Sequence, residues 1–272
     1  MTGGTPGAED PAARRASAVI RLDDPRTVLV TGASGGIGRG IALRFAAGGA
    51  AVAVHYRGDA AGARETVALI EAEGGTACAL HGDLASEEGC RAVVEEAAHW
   101  RPAGLGAVVN NAGVQPVEAL PGMSEERWRA VMDTNVLSVF GCTQAAAPLL
   151  AAGGGGSVTH VASIEAAQPA PGHAHYAAAK AAVVAHARAA ALEYGPSGVR
   201  VNTVSPGLVR REGIEEQWPE GVRRWQRAAP DGRLGTAEEV GDACVFLASG
   251  AARWINGHDL VLDGGVTARP SW

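Results

Sequence analysis

A tyrosine and a lysine stand four residues apart in the alanine-rich segment HAHYAAAK, residues 173–180. In a helix this spacing places Tyr176 and Lys180 on one face, a single turn apart. A lysine ammonium at that distance stabilises a phenolate, which would lower the pKa of the tyrosine from about 10 toward neutrality. A side chain with such a pKa is an efficient general acid or base. The pair is also common on ordinary helices, so its meaning depends on the rest of the chain.

A glycine-rich segment, VLVTGASGGIG at residues 28–38, connects a short apolar run to a helical pattern. Gly32, Gly36 and Gly38 have the spacing G-x-x-x-G-x-G. Glycines allow a tight turn and let backbone N–H groups approach a pyrophosphate at a helix N-terminus, where the helix dipole favours anions. Because the segment lies directly between the first strand and the first helix, it indicates a dinucleotide-binding site.

The end of the second apolar run, VAVHYRGD at residues 52–59, bears on which dinucleotide is bound. An acidic residue here would hold the ribose 2′-hydroxyl of NAD. His55, Tyr56 and Arg57 occupy this place instead, and Asp59 lies beyond the strand. Arg57 can pair with a 2′-phosphate, although an exposed arginine in a turn is the alternative interpretation. The segment favours NADP (NADPH) over NAD.

Short apolar runs alternate with amphipathic helical segments from Thr27 onward. The runs lack the in/out alternation of half-exposed strands, which is typical of a sheet covered on both faces. This pattern predicts an α/β fold: a single-domain, doubly wound, parallel seven-stranded sheet of the Rossmann type with helices on both faces. Residues 1–24, rich in Gly, Ala, Pro and charge, are expected to form a disordered extension, and residues 25–272 the domain.

Charge, cysteine spacing and hydropathy argue against nucleic-acid binding, a disulfide framework, a metal site and a membrane span. The formal net charge of −6 does not favour a nucleic acid or another polyanion as a partner. The four cysteines are widely spaced and indicate free thiols in a reducing compartment. His173 and His175 lack an evident carboxylate partner, so we expect no metal site. Since no long apolar run or signal-like segment is evident, we expect no membrane span and a cytoplasmic location.

Four motifs in one order carry a resemblance to a known family: TGASGGIG, NNAG at residues 110–113, Tyr176-x-x-x-Lys180 and NTVSPG at residues 202–207. With these motifs the chain resembles the short-chain dehydrogenase/reductase family over about residues 25–265. The segments RLGTAEEVGDACVFLAS and INGHDLVLDGG are most similar to the ketoacyl-carrier-protein reductase and glucose-dehydrogenase-like group. The resemblance implies an NAD(P)-dependent oxidoreductase.

The resemblance also implies roles for individual residues. Tyr176 would donate the proton to a carbonyl oxygen, Ser163 would orient that oxygen, Lys180 would contact the nicotinamide ribose, and Asn135 would hold a water behind the lysine. Together with the residues named above, the full predicted cofactor set is Gly32, Ser34, Gly35, Gly36, Ile37, Gly38, Tyr56, Arg57, Asp83, Leu84, Asn111, Ala112, Gly113, Tyr176, Lys180, Pro206, Gly207 and Val209.

Two positions depart from the family pattern. Gly35 stands where many NADP-dependent relatives have an arginine, which weakens the preference for NADP. Arg210 or Arg211 lies where a threonine commonly contacts the nicotinamide carboxamide.

Candidate substrate residues lie in two segments. A lid at about residues 208–232 contains Trp218 and Trp225, which are expected either to cover the substrate or to pack the lid on its own body. Glu165, Gln168 and His173, with His175, follow the catalytic serine and are candidates for binding substrate hydroxyls, or solvated loop residues.

Three functions remain open at this level. The first is an NADPH-dependent carbonyl reductase (ketoreductase), for which a polyketide or another secondary-metabolite ketone is one hypothesis for the substrate. The second is an NAD-dependent alcohol or sugar dehydrogenase, and the third is a dinucleotide-sensing protein without catalysis. The family's packing of the helices near residues 124–150 and 176–194 also predicts a homo-oligomer, a dimer or tetramer.

Overall fold

The computed structural model describes residues 20–22 and 24–268. Its centre is one sheet of seven parallel strands in the order β3-β2-β1-β4-β5-β6-β7, which confirms the predicted fold class. Each strand is one of the short apolar runs. The strands are β1 (Thr27–Val30), β2 (Ala51–Tyr56), β3 (Thr76–His81), β4 (Leu105–Asn110), β5 (Gly156–Val161), β6 (Val199–Pro206) and β7 (Asp259–Leu262).

Four of the described α-helices begin at a side chain that satisfies one of their first N–H groups. Asp59, Ser86, Ser124 and Thr236 each accept a hydrogen bond from a backbone N–H of the first turn that follows. The α-helices are α1 (Gly36–Ala47), α2 (Ala60–Ala72), α3 (Glu87–His99), α4 (Glu125–Met132), α5 (Ser138–Ala152), α6 (Ala174–Tyr194), α7 (Ile214–Gln217), α8 (Pro219–Ala228) and α9 (Ala237–Ala248).

The two faces of the sheet bury separate apolar clusters. Successive residues of a strand point to opposite faces, so Val28 and Val30 lie in one cluster and Leu29 lies in the other. The first cluster includes Phe45 of α1 and Leu247 of α9, and the second is completed by residues of α3, α5 and α6. Burial on both faces is the physical reason for the continuous apolar strands.

The predicted long helical region near residues 124–152 consists of α4, a π-helical turn at Asp133–Leu137, and α5. The run Glu125–Ala152 is long and apolar enough to cross a membrane by length and composition alone, and half of its most apolar window is buried in the domain. Cys142 and Leu150 of α5 lie in the second apolar cluster. The run is therefore built like the core helix of a globular protein.

Part of the predicted N-terminal extension contacts the domain. The backbone N–H of Leu22 donates to the carbonyl of Gly48 at 2.9 Å, and its side chain packs on the first apolar cluster. Asp24 pairs with Arg26 at 2.6 Å. Residues 1–19 and 23, on which the rest of this prediction falls, lie outside the described residues.

Strand order determines where a site can form. Strand β2 pairs with one side of β1, and β4, which comes later in the chain, pairs with the other side of β1. At such a switch point the loops after neighbouring strands separate and leave a crevice at the carboxyl edge of the sheet. The loop after β1, the loop after β4 and the start of α1 meet at this crevice.

Helix α1, which begins at the crevice, is held by close packing against α9. A Cβ atom added to Gly40 would lie 2.4 Å from Cβ and 2.5 Å from the carbonyl carbon of Ala237. Backbone atoms cannot move aside as a flexible side chain can, so the two helices would have to separate. Close approach of α1 and α9 thus requires glycine at this position.

We expect Gly40→Ala to lower the free energy of unfolding by about 2 kcal/mol or more, because overpacking displaces α1 from the first apolar cluster. Urea denaturation measures the change. Gly250→Ala is the matched control, since a Cβ there meets nothing within 4 Å. Equal stability of the two variants would contradict the packing argument.

Candidate active site

A cleft of about 1370 Å³ lies at the carboxyl edge of the sheet and contains the four predicted catalytic residues. Ser163 lies two residues after the end of β5, and Tyr176 and Lys180 lie on the first turns of α6. Asn135 lies in the π-helical turn between α4 and α5. Residues that are distant in the sequence are therefore brought to one surface by three different elements.

Lys180 and Asn135 are buried and fixed by backbone atoms. The ammonium of Lys180 donates to the carbonyl of Val161 at 2.7 Å. The Asn135 amide donates to the carbonyls of Val131 at 2.9 Å and Val114 at 3.0 Å, and its oxygen accepts from the N–H of Val114 at 3.2 Å. These bonds leave both side chains little rotational freedom.

Burial determines the protonation behaviour of the tyrosine and the lysine. It raises the pKa of Tyr176 to about 12, while a hydrogen bond with Ser163 lowers this pKa and the Glu165 carboxylate raises it. Burial also lowers the pKa of Lys180 to about 8. The chain by itself therefore does not lower the Tyr176 pKa as predicted, because burial removes water from around the phenolate. That prediction also counted the positive nicotinamide, which is not part of the chain.

The glycine loop after β1 has the geometry of an anion cradle. Gly32 and Gly36 have φ values of 63° and 52°, which other residues rarely adopt. A Cβ on Gly38 would lie 2.2 Å from the Gly32 carbonyl oxygen, so only glycine permits this approach. Helix α1 has no side chain capping its N-terminus. Its free N–H groups and dipole fit the pyrophosphate of a dinucleotide.

Polar side chains connect this loop to β2 and β4. The Gly32 N–H donates to Nδ1 of buried His55 at 3.1 Å, and the other ring nitrogen of His55 lies 3.2 Å from the Gly82 carbonyl oxygen. The Thr31 hydroxyl accepts from the N–H groups of Asn111 at 2.9 Å and Ala112 at 3.0 Å. The residues of the NNAG motif therefore hold the loop in place as well as line the cleft.

Arg57 lies exposed at the end of β2 and lines the cleft. Asp59 accepts the Gly62 N–H at 2.9 Å as the cap of α2. Among the described residues that line the cleft, the carboxylates are Asp83 and Glu165, and neither belongs to β2. The strand end thus presents a guanidinium where an NAD site would present a carboxylate.

Two predicted cofactor residues do not line the cleft. Tyr56 packs against His81, with ring centroids 5.4 Å apart, and contacts the first apolar cluster. Ser34 directs its carbonyl oxygen to Arg39 at 2.8 Å. The remaining predicted cofactor residues all line it: Gly32, Gly35, Gly36, Ile37, Gly38, Arg57, Asp83, Leu84, Asn111, Ala112, Gly113, Tyr176, Lys180, Pro206, Gly207 and Val209.

The predicted substrate residues Glu165, Gln168, His173, Trp218 and Trp225 also line the cleft. Trp225 packs within the lid beside Ile214 and Val222, and the edge of its ring closely approaches Gly207. Trp218 is 47% exposed. His175, which was expected near the mouth, is completely buried and does not line the cleft.

Several polar residues of the cleft were not predicted from the sequence. The sequence placed His55 at the end of β2 in the position of the expected acidic residue, but did not indicate that its two ring nitrogens tie the glycine loop to Gly82, just after β3. Gln115, two residues after the NNAG motif, reaches the Glu165 carboxylate at 2.8 Å. Arg224 of α8 also lines the cleft. No spacing rule in the sequence identifies these contacts, because each depends on chain segments folded together.

His55 makes the glycine loop sensitive to acid. Burial lowers its pKa from 6.5 to about 4, so between these pH values the folded chain binds fewer protons than the unfolded chain. We expect the free energy of unfolding to fall by up to about 3 kcal/mol more in the wild type than in His55→Gln as the pH drops through this window. Urea denaturation at several pH values measures the difference.

The control for this experiment is His99→Gln, because His99 is exposed on α3. It should retain the wild-type pH dependence. Identical pH dependence in the wild type and His55→Gln would show that His55 does not cause the loss of stability at acid pH.

Comparisons with known proteins agree with the geometry. The family model described as enoyl-(acyl carrier protein) reductase matches residues 32–267. The 3beta-hydroxysteroid dehydrogenase 1 of Eggerthella lenta is 38% identical over 250 residues, covering 91% of this chain and 95% of that protein. A 3-oxoacyl-(acyl-carrier-protein) reductase of Staphylococcus aureus is 34% identical over 241 residues, covering 89% of this chain and 98% of that protein.

Two similar solved structures contain cofactors. A 7 alpha-hydroxysteroid dehydrogenase complexed with NADH has a TM-score of 0.85 and 32% identity, covering 91% of this chain and 96% of its own. A protein described as an NAD(P)-dependent gluconate 5-dehydrogenase from Beutenbergia cavernae, with bound NADP, has a TM-score of 0.84 and 36% identity, covering 91% and 99%. The chain belongs to the short-chain dehydrogenase/reductase family and is an NAD(P)-dependent oxidoreductase.

Proposed function

We propose that the protein is an NADPH-dependent carbonyl reductase that converts a ketone to an alcohol. The observation that carries this proposal is the placement of Tyr176: its buried phenol lies in the cleft, bonded to Ser163, where it can pass a proton to a carbonyl oxygen. The same groups serve the oxidation of an alcohol in reverse, so the reductive direction rests on the preference for NADPH.

Each residue of the site would have a separate role in the reduction. The Ser163 hydroxyl hydrogen-bonds the carbonyl oxygen, and Tyr176 passes its phenolic proton to the same oxygen as the alkoxide charge develops. Lys180, held by Val161, provides positive charge beside the phenol, with Nζ 5.5 Å from the Tyr176 ring centroid. Asn135, through its hydrogen bonds to Val114 and Val131, holds the backbone beside Lys180 in place. The bound dinucleotide would supply the hydride.

Arg57 supports NADPH as the preferred cofactor. Its guanidinium lines the cleft at the end of β2, where it would pair with the 2′-phosphate, and no carboxylate of β2 is available for the 2′-hydroxyl of NAD. A Cβ at Gly35 would meet nothing within 4 Å, so the loop leaves room for the additional phosphate. The absence of an arginine at this position is the observation that favours the alternative, an NAD-dependent alcohol or sugar dehydrogenase.

The lid at about residues 208–232, within a domain spanning residues 25–272, would cover the substrate. Trp218 and Trp225 on this lid would contact the ketone. A polyketide or related secondary-metabolite ketone stays a prediction.

Apolar side chains are exposed along α5 and α6. They belong to Leu137, just before α5, Phe140 on α5 and Leu192 on α6, and they support a homo-oligomer. A cytoplasmic location also stays a prediction.

We expect Arg57→Ala to raise the Kd for NADPH by about 10- to 100-fold and to change the Kd for NADH by less than about threefold, because only NADPH loses a charge-assisted hydrogen bond. Titration followed by nicotinamide fluorescence measures both constants. The control is Arg64→Ala, which removes the same charge from the exposed face of α2. Tighter binding of NADH by the wild type would favour the alternative function.

We expect Tyr176→Phe to lower kcat for ketone reduction by about 10²- to 10⁴-fold, since the proton donor is lost. Its Kd for NADPH should stay within about threefold of the wild-type value. Tyr194→Phe, at the other end of α6, is the matched control and should retain activity. Unchanged turnover in Tyr176→Phe would remove the basis of the proposed mechanism, and cofactor binding without turnover in the wild type would support a dinucleotide-sensing protein.

A further inference from the structure

Three side chains beside the catalytic residues form a closed hydrogen-bonded cluster. Nδ1 of His173 lies 2.9 Å from Oε2 and 3.1 Å from Oε1 of Glu165. The Gln115 amide donates to Oε1 of the same carboxylate at 2.8 Å. The side chains of His173 and Glu165 are only 17% and 14% exposed. We call these three residues the Glu165 cluster.

The cluster determines which atom of His173 faces the cleft. A carboxylate only accepts hydrogen bonds, so Nδ1 of the imidazole must donate. In the neutral ring the other nitrogen, Nε2, then carries the free lone pair. Within residues 20–22 and 24–268, Nε2 of His173 has no hydrogen-bond partner and is not among the buried polar atoms without one. It is an accessible hydrogen-bond acceptor in the wall of the cleft.

This acceptor lies close to the two groups that would hold the reacting carbonyl. The His173 ring meets the Tyr176 ring edge-on, with centroids 6.2 Å apart. The Glu165 N–H also donates to the Ser163 hydroxyl at 3.1 Å, so the cluster adjoins both groups that would hold the carbonyl oxygen. We therefore expect a substrate oxygen bound at His173 to belong to a carbon near the carbonyl carbon.

We propose that Nε2 of His173 accepts a hydrogen bond from a hydroxyl group of the substrate, so that the enzyme selects hydroxylated ketones whose hydroxyl lies α or β to the reacting carbonyl. This inference rests on the proposed carbonyl reductase function. Glu165 fixes the tautomer, and Gln115 holds Glu165. The acceptor selects a hydroxyl over an ether or a second carbonyl, since those groups have no proton to donate.

A ketone without the hydroxyl would leave a partly buried nitrogen unpaired, and sites of this kind discriminate against such analogues. A cluster that only ties the Ser163 loop to α6 would act differently, because its loss would slow the reduction of all ketones equally. The ratio of kcat/KM between matched ketones separates these two roles.

The test compares 2-hydroxycyclohexanone with cyclohexanone, and 4-hydroxy-2-butanone with 2-butanone, in the presence of NADPH. We expect the wild type to prefer the hydroxylated member of at least one pair by about tenfold or more, the size of one well-formed hydrogen bond. In His173→Phe this ratio should fall to about one. Glu165→Gln should lower the ratio several-fold, because the tautomer is no longer fixed, and it provides a second variant if His173→Phe folds poorly.

The matched control is His99→Phe, which makes the same substitution on the exposed surface of α3 and should retain the wild-type ratio. A wild-type ratio near one in both pairs, or a ratio unchanged in His173→Phe, would overturn the inference and leave the reductase proposal intact. Turnover of none of the four ketones with NADPH or NADH would overturn both.

Discussion

The close approach between the loop after β1 and the end of β4 is the constraint on which the rest of the site depends. Thr31 receives the N–H groups of Asn111 and Ala112, and the Asn111 amide donates back to the carbonyls of Thr31 and Gly32. Gly38 passes the Gly32 carbonyl at a distance that no side chain permits. These contacts bring the N-terminus of α1 to the carboxyl edge of the sheet, where the cleft also contains Ser163, Tyr176 and Lys180.

A second constraint is the burial of polar groups around that edge. Lys180, Asn135 and His55 are almost inaccessible to water, so each requires an internal hydrogen-bond partner. Backbone carbonyls or N–H groups provide these partners, which makes the side chains rigid as well as satisfied. Such rigidity would suit the proposed reaction, because catalytic groups act efficiently only when they are held close to the reacting geometry.

Different parts of the chain shape the half of the cleft that would bind the substrate and the half that would bind the cofactor. Backbone geometry and glycines shape the cofactor half, whereas side chains on the loop after β5 and on the lid shape the substrate half. Glu165, His173 and Gln115 join three separate segments through one carboxylate. The two halves can therefore differ independently among proteins of this fold, with a constant cofactor site and a variable substrate site.

Local patterns in the sequence were sufficient to predict the sheet, its main helices and the glycine loop, and the resemblance to a family gave the four candidate catalytic residues, which the fold brings into one cleft. Strand burial on two faces leaves continuous apolar runs, and glycine positions mark the places where backbones must meet. The sequence did not determine the pKa of Tyr176, which depends on how much water the folded chain excludes, nor the orientation of Tyr56 and Ser34. It also did not indicate the contact of Glu165 with His173 and Gln115, because residues 115, 165 and 173 become neighbours only when the loops after β4 and β5 are folded against the start of α6. Spacing along the chain therefore specified the elements and their motifs, and only the tertiary structure decided which side chains share a cleft and how burial changes their pKa values.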